Sequence, residues 1–215
     1  MSGELRDRVV LIGGATGGLG SGVAREFALT EARLALASRS EQALDELAHD
    51  LGLSDDRVLT ATVDATDPAS VEQLVAGVVD RFGGLDALMN TIGGWGGGRT
   101  VHDTPVEEWE WMLTLNLRSA FHMSRAVLPV MLEAGWGRIV HTASKSADTP
   151  RPKQAGYAVS KMGVITLTEV IAAEVKGTGV TANVVLPSII DTPANRRTMS
   201  SADAVSYTHL RAHET

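Results

Sequence analysis

The sequence predicts a doubly wound α/β domain, in which helices cover both faces of a parallel sheet. Short apolar runs rich in β-branched residues alternate along the chain with longer segments of helical period. The strand segments are continuously apolar, as in "RVVLIGG" from Arg8, and such runs are typical of strands buried on both faces. The first run ends in glycines that lead directly into a helix. For this class we expect a single sheet with the strand order 3-2-1-4-5-6.

The alternation gives six strands with a helical segment between each pair. The predicted strands are Arg8–Gly14, Arg33–Ser38, Arg57–Asp64, Leu85–Gly94, Gly137–Ser144 and Val180–Pro187. The predicted helices are Gly18–Glu31, Glu41–Leu51, a helix from Pro68, a long helix opened by "TPVE" (Thr104–Glu107) and continuing past Phe121, and Ala155–Lys176. Asp67 before Pro68 is a strong helix start, and "TPVE" has the pattern of a capping box. No repeat or linker divides the chain, so we expect one domain over residues 1–204.

Composition excludes several classes of function. The chain has 215 residues, 44% of them hydrophobic, a net charge of −7 and no cysteine. A net acidic chain without a basic run is a poor candidate for binding nucleic acid or anionic membranes. Without cysteine there are no disulfides, thiolate metal sites or cysteine nucleophiles. We expect no metal, no secretory signal and no membrane span, and therefore a cytoplasmic protein.

The glycine loop between the first strand and the first helix is a candidate dinucleotide site. Gly14, Gly18 and Gly20 have the spacing G-x-x-x-G-x-G, and Thr16 and Leu19 lie between them. Missing side chains let the backbone approach a pyrophosphate, and a helix N-terminus offers free N–H groups. A tight turn without a ligand is the alternative, but the position after a first strand favours cofactor binding.

The end of the second strand indicates which dinucleotide is bound. An acid there accepts from the ribose 2′-hydroxyl of NAD, whereas an arginine accommodates the 2′-phosphate of NADP. Here Ser38 and Arg39 occupy the tip, so we expect NADP(H) to be preferred and NAD(H) to be possible. Asp64 and Ala65, after the third strand, are candidates for the adenine side; alternatively, Asp64 caps a turn.

The chain resembles the short-chain dehydrogenase/reductase family, whose domain is of the Rossmann type, over residues 7 to about 204. The features that carry the resemblance follow one another in order: the glycine loop, Asp64, "NTIGG" with Asn90 and Gly93, "LNL" with Asn116, Ser144, "YAVSK" from Tyr157 to Lys161, and "VVLPSIIDTP" with Pro187, Ile190 and Thr192. Ser144 precedes Tyr157 by thirteen residues, which is the usual interval in the family. Three positions depart from the family pattern: Ile92 stands for Ala, His141 for Asn and Ser188 for Gly.

The tyrosine and lysine of "YAVSK" lie one helical turn apart, so they share a helix face. A free tyrosine with a pKa of about 10 is a poor base near neutrality. A nearby ammonium favours the phenolate, as does an oxidised nicotinamide, so we expect the pKa of Tyr157 to fall and Tyr157 to act as acid and base. Ser144 would hold the carbonyl oxygen. The resemblance implies that Lys161 also holds the nicotinamide ribose and that Asn116 anchors a water in a relay to Lys161. It further implies cofactor contacts from Asn90, Gly93, Tyr157, Pro187, Ile190 and Thr192.

The substrate is indicated only weakly. "GGWGGG" (Gly93–Gly98) places Trp95 directly after the fourth strand, where a ring could stack on a substrate or pack on the next helix. This stretch resembles dihydropteridine reductases, which lack the serine found at Ser144, so pteridine reduction is the second choice after ordinary carbonyl or alcohol chemistry. A non-catalytic dinucleotide-binding regulatory module is the alternative from another class. The resemblance also implies a homodimer or homotetramer that acts on a small molecule.

The last eleven residues, 205–215, do not fit the pattern that precedes them. "SYTHLRAHET" is the translation of a transposase-based sequencing adapter, so we expect this tail to be non-native. Members of the resembled family continue through a helical lid and a seventh strand, and we expect both to be missing here.

Overall fold

The computed structural model describes residues 5–188, 190 and 196, and it contains one six-stranded sheet. The strands are β1 (Val9–Gly13), β2 (Arg33–Ser38), β3 (Val58–Thr62), β4 (Ala87–Asn90), β5 (Gly137–Thr142) and β6 (Val180–Val185). Every pairing is parallel and the order is β3-β2-β1-β4-β5-β6. This confirms the predicted fold class and strand order. The expected tail, lid and seventh strand fall outside the described residues.

Helices connect the strands. They are α1 (Gly18–Ala28), α2 (Glu41–Leu51), α3 (Pro68–Phe82), α4 (Val106–Met112), a π-helical segment (Leu113–Arg118), α5 (Ser119–Ala134), α6 (Lys145–Asp148) and α7 (Ala155–Glu174), with a 3₁₀ turn at Val101–Asp103. Within the described part of the chain, no helix combines the length and the apolarity that crossing a membrane requires.

Strands β1, β2 and β4 each supply side chains to two cores. On β1, Val9 and Leu11 join one apolar cluster, whereas Val10 and Ile12 join another. The first cluster lies against α3, α5 and α7, and the second lies against α1 and α2. A strand with helices on both faces needs apolar residues at every position, and all five residues of β1 are buried.

The N-terminus of α3 is capped as predicted, but that of α4 is not. The Asp67 carboxylate accepts from the N–H groups of Ala69 and Ser70, as the sequence predicted. The predicted capping box at Thr104–Glu107 is wrong, because the α4 N-cap is Pro105 and the Thr104 hydroxyl donates to the Thr100 carbonyl. The 3₁₀ turn before α4 offers that carbonyl, and the hydroxyl bonds to it instead of to the helix.

Candidate active site

Two neighbouring cavities lie at the carboxyl edge of the sheet, and the glycine loop borders both. The tyrosine cavity, of about 270 Å³, is lined by Gly17, Gly18, Leu19, Gly20, Thr91, Gly93, Gly94, Trp95, Thr142, Ala143, Ser144, Tyr157, Lys161, Pro187, Ser188 and Ile190. The arginine cavity, of about 300 Å³, is lined by Gly14, Thr16, Gly17, Ser38, Arg39, Val63, Asp64, Ala65, Thr66, Thr91, Ile92, Gly93, Trp111 and Leu115. They meet where β1 neighbours β4, the point at which the strand order reverses and ligands bind in such folds.

The glycine loop is folded so tightly that side chains would not fit. Gly14 has a φ of +78°, and its carbonyl accepts from the Gly17 N–H at 2.9 Å. A Cβ on Gly20 would overlap the Gly14 carbonyl oxygen. Gly17 caps α1 without a side-chain bond, and no acid lies in the first turn, so the helix N-terminus faces the cavities uncompensated. This cradle fits a dinucleotide pyrophosphate.

Predicted cofactor residues from three strand ends meet around the arginine cavity. Thr16 Oγ1 and Ser38 Oγ share a hydrogen bond of 2.5 Å, which ties the glycine loop to the end of β2. Asp64 Oδ1 accepts from the N–H and the hydroxyl of Thr66 at 2.9 and 2.7 Å. These bonds, and to a smaller extent the charge of Arg39, lower the pKa of Asp64. The turn-capping alternative for Asp64 therefore holds, and its contact with adenine stays a prediction.

Asn116 connects the loop after β4 to the helix that carries the tyrosine. It lies in the π-helical segment and is 1% exposed. Its Oδ1 accepts from the Gly94 N–H at 2.9 Å, while its Nδ2 donates to the Gly94 carbonyl and to Ser160 Oγ, both at 3.1 Å. Asn116 thus fixes the position of both segments, and Ser160 of "YAVSK" is a partner that sequence reasoning missed.

Ser144, Tyr157 and Lys161 come together in the tyrosine cavity. Ser144 lies two residues after β5 and caps α6, where its Oγ accepts from the Ser146 N–H at 3.2 Å. Burial raises the pKa of the Tyr157 phenol, and the side-chain hydrogen bond with Ser144 lowers it to a smaller extent. Lys161 is buried, its Nζ donates to the Thr142 carbonyl at 2.8 Å, and burial lowers its pKa to about 8.

The expected direction of the Tyr157 pKa is wrong for the chain alone. The Lys161 ammonium was expected to lower this pKa, but desolvation of the phenol dominates and raises it. The Lys161 ammonium donates a hydrogen bond to the Thr142 carbonyl, and burial disfavours its charged form. The part of the expectation that rests on the charge of an oxidised nicotinamide stays a prediction.

A buried network of hydrogen bonds joins His141 on β5 to Asn90 on β4 and Ser124 on α5. His141 is fully buried, with Nδ1 3.0 Å from Asn90 Nδ2 and Nε2 2.8 Å from Ser124 Oγ. Asn90 Nδ2 can only donate, so Nδ1 accepts and Nε2 carries the proton. The Ser124 hydroxyl then donates to the Ala120 carbonyl at 2.8 Å. Asn90, predicted to contact the cofactor, is bound into this network, and its Oδ1 accepts from the Ile92 N–H at 3.3 Å.

His141 is expected to make the protein acid-sensitive. Burial, and to a smaller extent the charge of Lys161, lowers the pKa of His141 from 6.5 to about 4. As the pH falls below about 6.5, His141 becomes protonated in the unfolded chain, whereas in the native state it stays neutral until about pH 4. The free energy of unfolding therefore falls across this window.

The check is urea unfolding of wild type and His141→Asn at pH 7, 6, 5 and 4.5. Asparagine offers an acceptor and a donor but does not titrate in this pH range. The free energy of unfolding of His141→Asn should therefore fall less on acidification than that of wild type. Parallel pH curves for the two proteins would show that His141 does not contribute.

The remaining predicted residues divide between the two cavities and the undescribed segment. Trp95, Pro187 and Ile190 line the tyrosine cavity, Ala65 lines the arginine cavity, and Thr192 lies outside the described residues. Sequence reasoning also missed Thr91, whose hydroxyl donates to the Gly13 carbonyl at 2.7 Å, and Trp111 and Leu115, which line the arginine cavity. Only the position of Thr91 inside "NTIGG" signalled its role.

The fold and site define a class, a dinucleotide-binding α/β oxidoreductase, and the comparisons with known proteins specify it. The sequence profile of the short chain dehydrogenase family matches residues 8–203, so the chain belongs to that family. Members bind NAD(P), and this chain is accordingly an NAD(P)-dependent oxidoreductase acting on alcohol or carbonyl groups.

Relatives and solved structures agree with this assignment. D-beta-hydroxybutyrate dehydrogenase of Rhizobium meliloti is 36% identical over 191 residues, which cover 86% of this chain and 72% of that protein. 2-(R)-hydroxypropyl-CoM dehydrogenase of Xanthobacter autotrophicus is 34% identical over 189 residues, covering 86% and 76%. A single-site variant of actinorhodin polyketide ketoreductase, solved with NADPH, superposes with a TM-score of 0.83 at 33% identity, covering 93% of this chain and 78% of that one.

Proposed function

We propose that this enzyme interconverts a carbonyl and an alcohol with Asn116, Ser144, Tyr157 and Lys161 as its working residues, and that it prefers NADP(H). One observation carries the proposal: the tyrosine cavity is lined by Ser144, Tyr157 and Lys161 and also by the first turn of α1, at the end of the glycine loop. The proton donor and the cofactor cradle therefore open into the same space. The whole assembly belongs to a single domain, which we assign to residues 1–204.

Tyr157 handles the proton at the substrate oxygen. A nicotinamide dinucleotide, when bound, supplies or accepts the hydride at the substrate carbon. Burial keeps Tyr157 in its phenol form, which is the form that donates a proton to the oxygen of a reduced carbonyl. The Ser144 hydroxyl orients that oxygen through a hydrogen bond, and in alcohol oxidation the same two groups act in reverse.

Lys161 and Asn116 act through their positions. We assign Lys161 to the ribose hydroxyls and to electrostatic stabilisation of the Tyr157 phenolate once the substrate oxygen has taken the proton. A Cβ on Gly93 would lie 2.8 Å from Lys161 Nζ and 2.7 Å from Asn116 Oδ1, so a glycine is needed for these two polar groups to converge. Asn116 holds the loop after β4 against α7 through its hydrogen bonds to Gly94 and Ser160. Its role in a water relay stays a prediction.

The preference for NADP(H) rests on the arginine cavity. Arg39 lies on its wall beside Ser38 and Thr16, whose hydroxyls are bonded to each other, and no acid ends β2. We expect Arg39→Ala to weaken NADPH binding by about 10–100-fold, because a charge-assisted hydrogen bond contributes roughly 1.5–3 kcal/mol. NADH binding should change little, since NADH has no 2′-phosphate.

Cofactor titrations followed by nicotinamide fluorescence measure both affinities. Arg25→Ala is the matched control, because Arg25 is an exposed arginine on α1, paired with Asp50 and away from the cavity. Equal losses for NADPH and NADH would contradict the assignment of Arg39.

The function is tested by following the absorbance of reduced cofactor with a panel of ketones and aldehydes, for wild type and Tyr157→Phe. We expect turnover by wild type only. Cofactor binding without turnover in either protein would instead support the regulatory module. The second choice of substrate, a dihydropterin, predicts turnover with a quinonoid dihydropterin and none with the carbonyl panel.

We also propose that the enzyme is a homodimer or homotetramer formed through the long helices. Phe121 on α5 and Val159, Met162 and Val170 on α7 are exposed apolar residues. A monomer in sedimentation equilibrium at micromolar concentration would contradict this proposal.

A further inference from the structure

The glycine-rich loop after β4 is anchored at both ends. Both backbone groups of Gly94 are bonded to the Asn116 side chain, at 2.9 and 3.1 Å. At the other end, the Gly98 N–H donates to the Lys153 carbonyl at 2.8 Å, on the segment that leads into α7. The loop is therefore held at two points, and its first residues, Gly93 to Trp95, line the tyrosine cavity.

Its glycines are required by close packing. A Cβ on Gly94 would lie 2.9 Å from Leu115 Cδ2, and one on Gly96 would lie 2.9 Å from Met112 Sδ. A Cβ on Gly97 would lie 2.6 Å from the Lys153 carbonyl oxygen. A real Cβ essentially never comes this close to another heavy atom, so the glycines let the loop pack against its neighbours.

Trp95 is the one side chain that this stretch of glycines presents. It is 63% exposed, lines the tyrosine cavity together with Ser144 and Tyr157, and rests on Gly97, where a Cβ would lie 3.4 Å from its Cζ2. Among the described residues that line this cavity, Trp95 and Tyr157 are the aromatic ones and Lys161 is the charged one. The cavity that contains the proton donor is thus also lined by an uncharged, flat indole.

From this arrangement we propose that Trp95 is a specificity-determining residue and that the enzyme takes ketones whose carbonyl is attached to a planar aromatic ring. This inference rests on the proposed function. The carbonyl oxygen lies between Ser144 and Tyr157, and the ring stacks on the indole, which favours offset or edge-to-face contact with another aromatic ring. A saturated ring of the same size fills similar volume but offers no such contact.

The test compares acetophenone with cyclohexyl methyl ketone, which have the same number of non-hydrogen atoms. The measured quantity is the ratio of kcat/KM for the two ketones, because this ratio cancels changes in folding or cofactor loading. We expect Trp95→Ala to lower the ratio of kcat/KM for acetophenone to that for cyclohexyl methyl ketone by about 2–10-fold, the scale of the aromatic contact that only acetophenone makes. Trp95→Phe should retain most of the ratio.

The control is Trp136→Phe. Trp136 lies before β5, at the opposite end of the sheet, with Arg8 and Arg138 stacked 3.9 and 4.3 Å from its ring centroid, and the ratio should not change. An unchanged ratio in Trp95→Ala overturns the inference. Turnover of other aliphatic carbonyls, combined with no turnover of acetophenone or cyclohexyl methyl ketone, also overturns it. If no carbonyl is turned over at all, the proposed function itself is overturned.

Discussion

Replacing Tyr157 with phenylalanine is expected to lower kcat for carbonyl reduction by about 10²–10⁴-fold, the usual contribution of a positioned general acid. The change removes one oxygen atom from a largely buried ring, so the fold and the cavity should persist. The proton then has to come from water, which the buried position of Tyr157 disfavours. Steady-state kinetics with reduced cofactor and the best ketone of the panel measure the effect.

Two further measurements distinguish chemistry from structural damage. The Kd of NADPH for Tyr157→Phe should stay close to that of wild type, because the glycine loop and Arg39 are unchanged. The midpoint of urea unfolding should also stay close to that of wild type, because phenylalanine fills nearly the same volume. A variant that retains most of its kcat would show that another group delivers the proton.

Gly20→Ala is expected to have the second-largest effect, on cofactor binding and on stability together. The added methyl would overlap the Gly14 carbonyl oxygen and would lie 2.8 Å from Thr91 Oγ1. The loop must move to make room, and overpacking of this kind costs about 1–3 kcal/mol of stability. Because the same loop cradles the pyrophosphate, NADPH affinity should fall about 10–100-fold, the equivalent of about 1.4–2.8 kcal/mol.

The same helix offers a matched control, Gly22→Ala. Gly22 also lies in α1, but a Cβ there has no atom within 4 Å. Alanine in a helix interior is favoured over glycine by roughly 0.5–1 kcal/mol, so this variant should be slightly more stable and should bind NADPH normally. Chemical denaturation and cofactor titration of both variants give the comparison, and equal behaviour of the two would refute the role assigned to Gly20.

The sequence was sufficient for the features that depend on short-range pattern. Alternating apolar runs predicted six parallel strands, and β2 and α2 begin and end at the predicted residues. The glycine spacing and the order of Ser144, Tyr157 and Lys161 predicted which side chains share a cavity, because the carboxyl ends of parallel strands lie at one edge.

Features that depend on contacts between distant segments were not predictable. The helix expected to run unbroken past Phe121 contains the π-helical segment Leu113–Arg118, which lets the Asn116 amide bond to Gly94 and Ser160. The direction of the Tyr157 pKa depends on how deeply α7 is buried, and a helical spacing contains no such information. For the same reason, "GGWGGG" did not reveal that its glycines are packed against Met112 and Lys153.

The central claim is that Tyr157 and the dinucleotide cradle serve one hydride-transfer reaction on a carbonyl carbon. Reduced cofactor labelled with deuterium at its transferable position, incubated with enzyme and the carbonyl panel, tests this most directly by mass spectrometry of the products. We expect one deuterium on the carbinol carbon of the alcohol formed by wild type and almost none with Tyr157→Phe. Tight binding of the labelled cofactor by wild type, with no deuterium in any product, would contradict it.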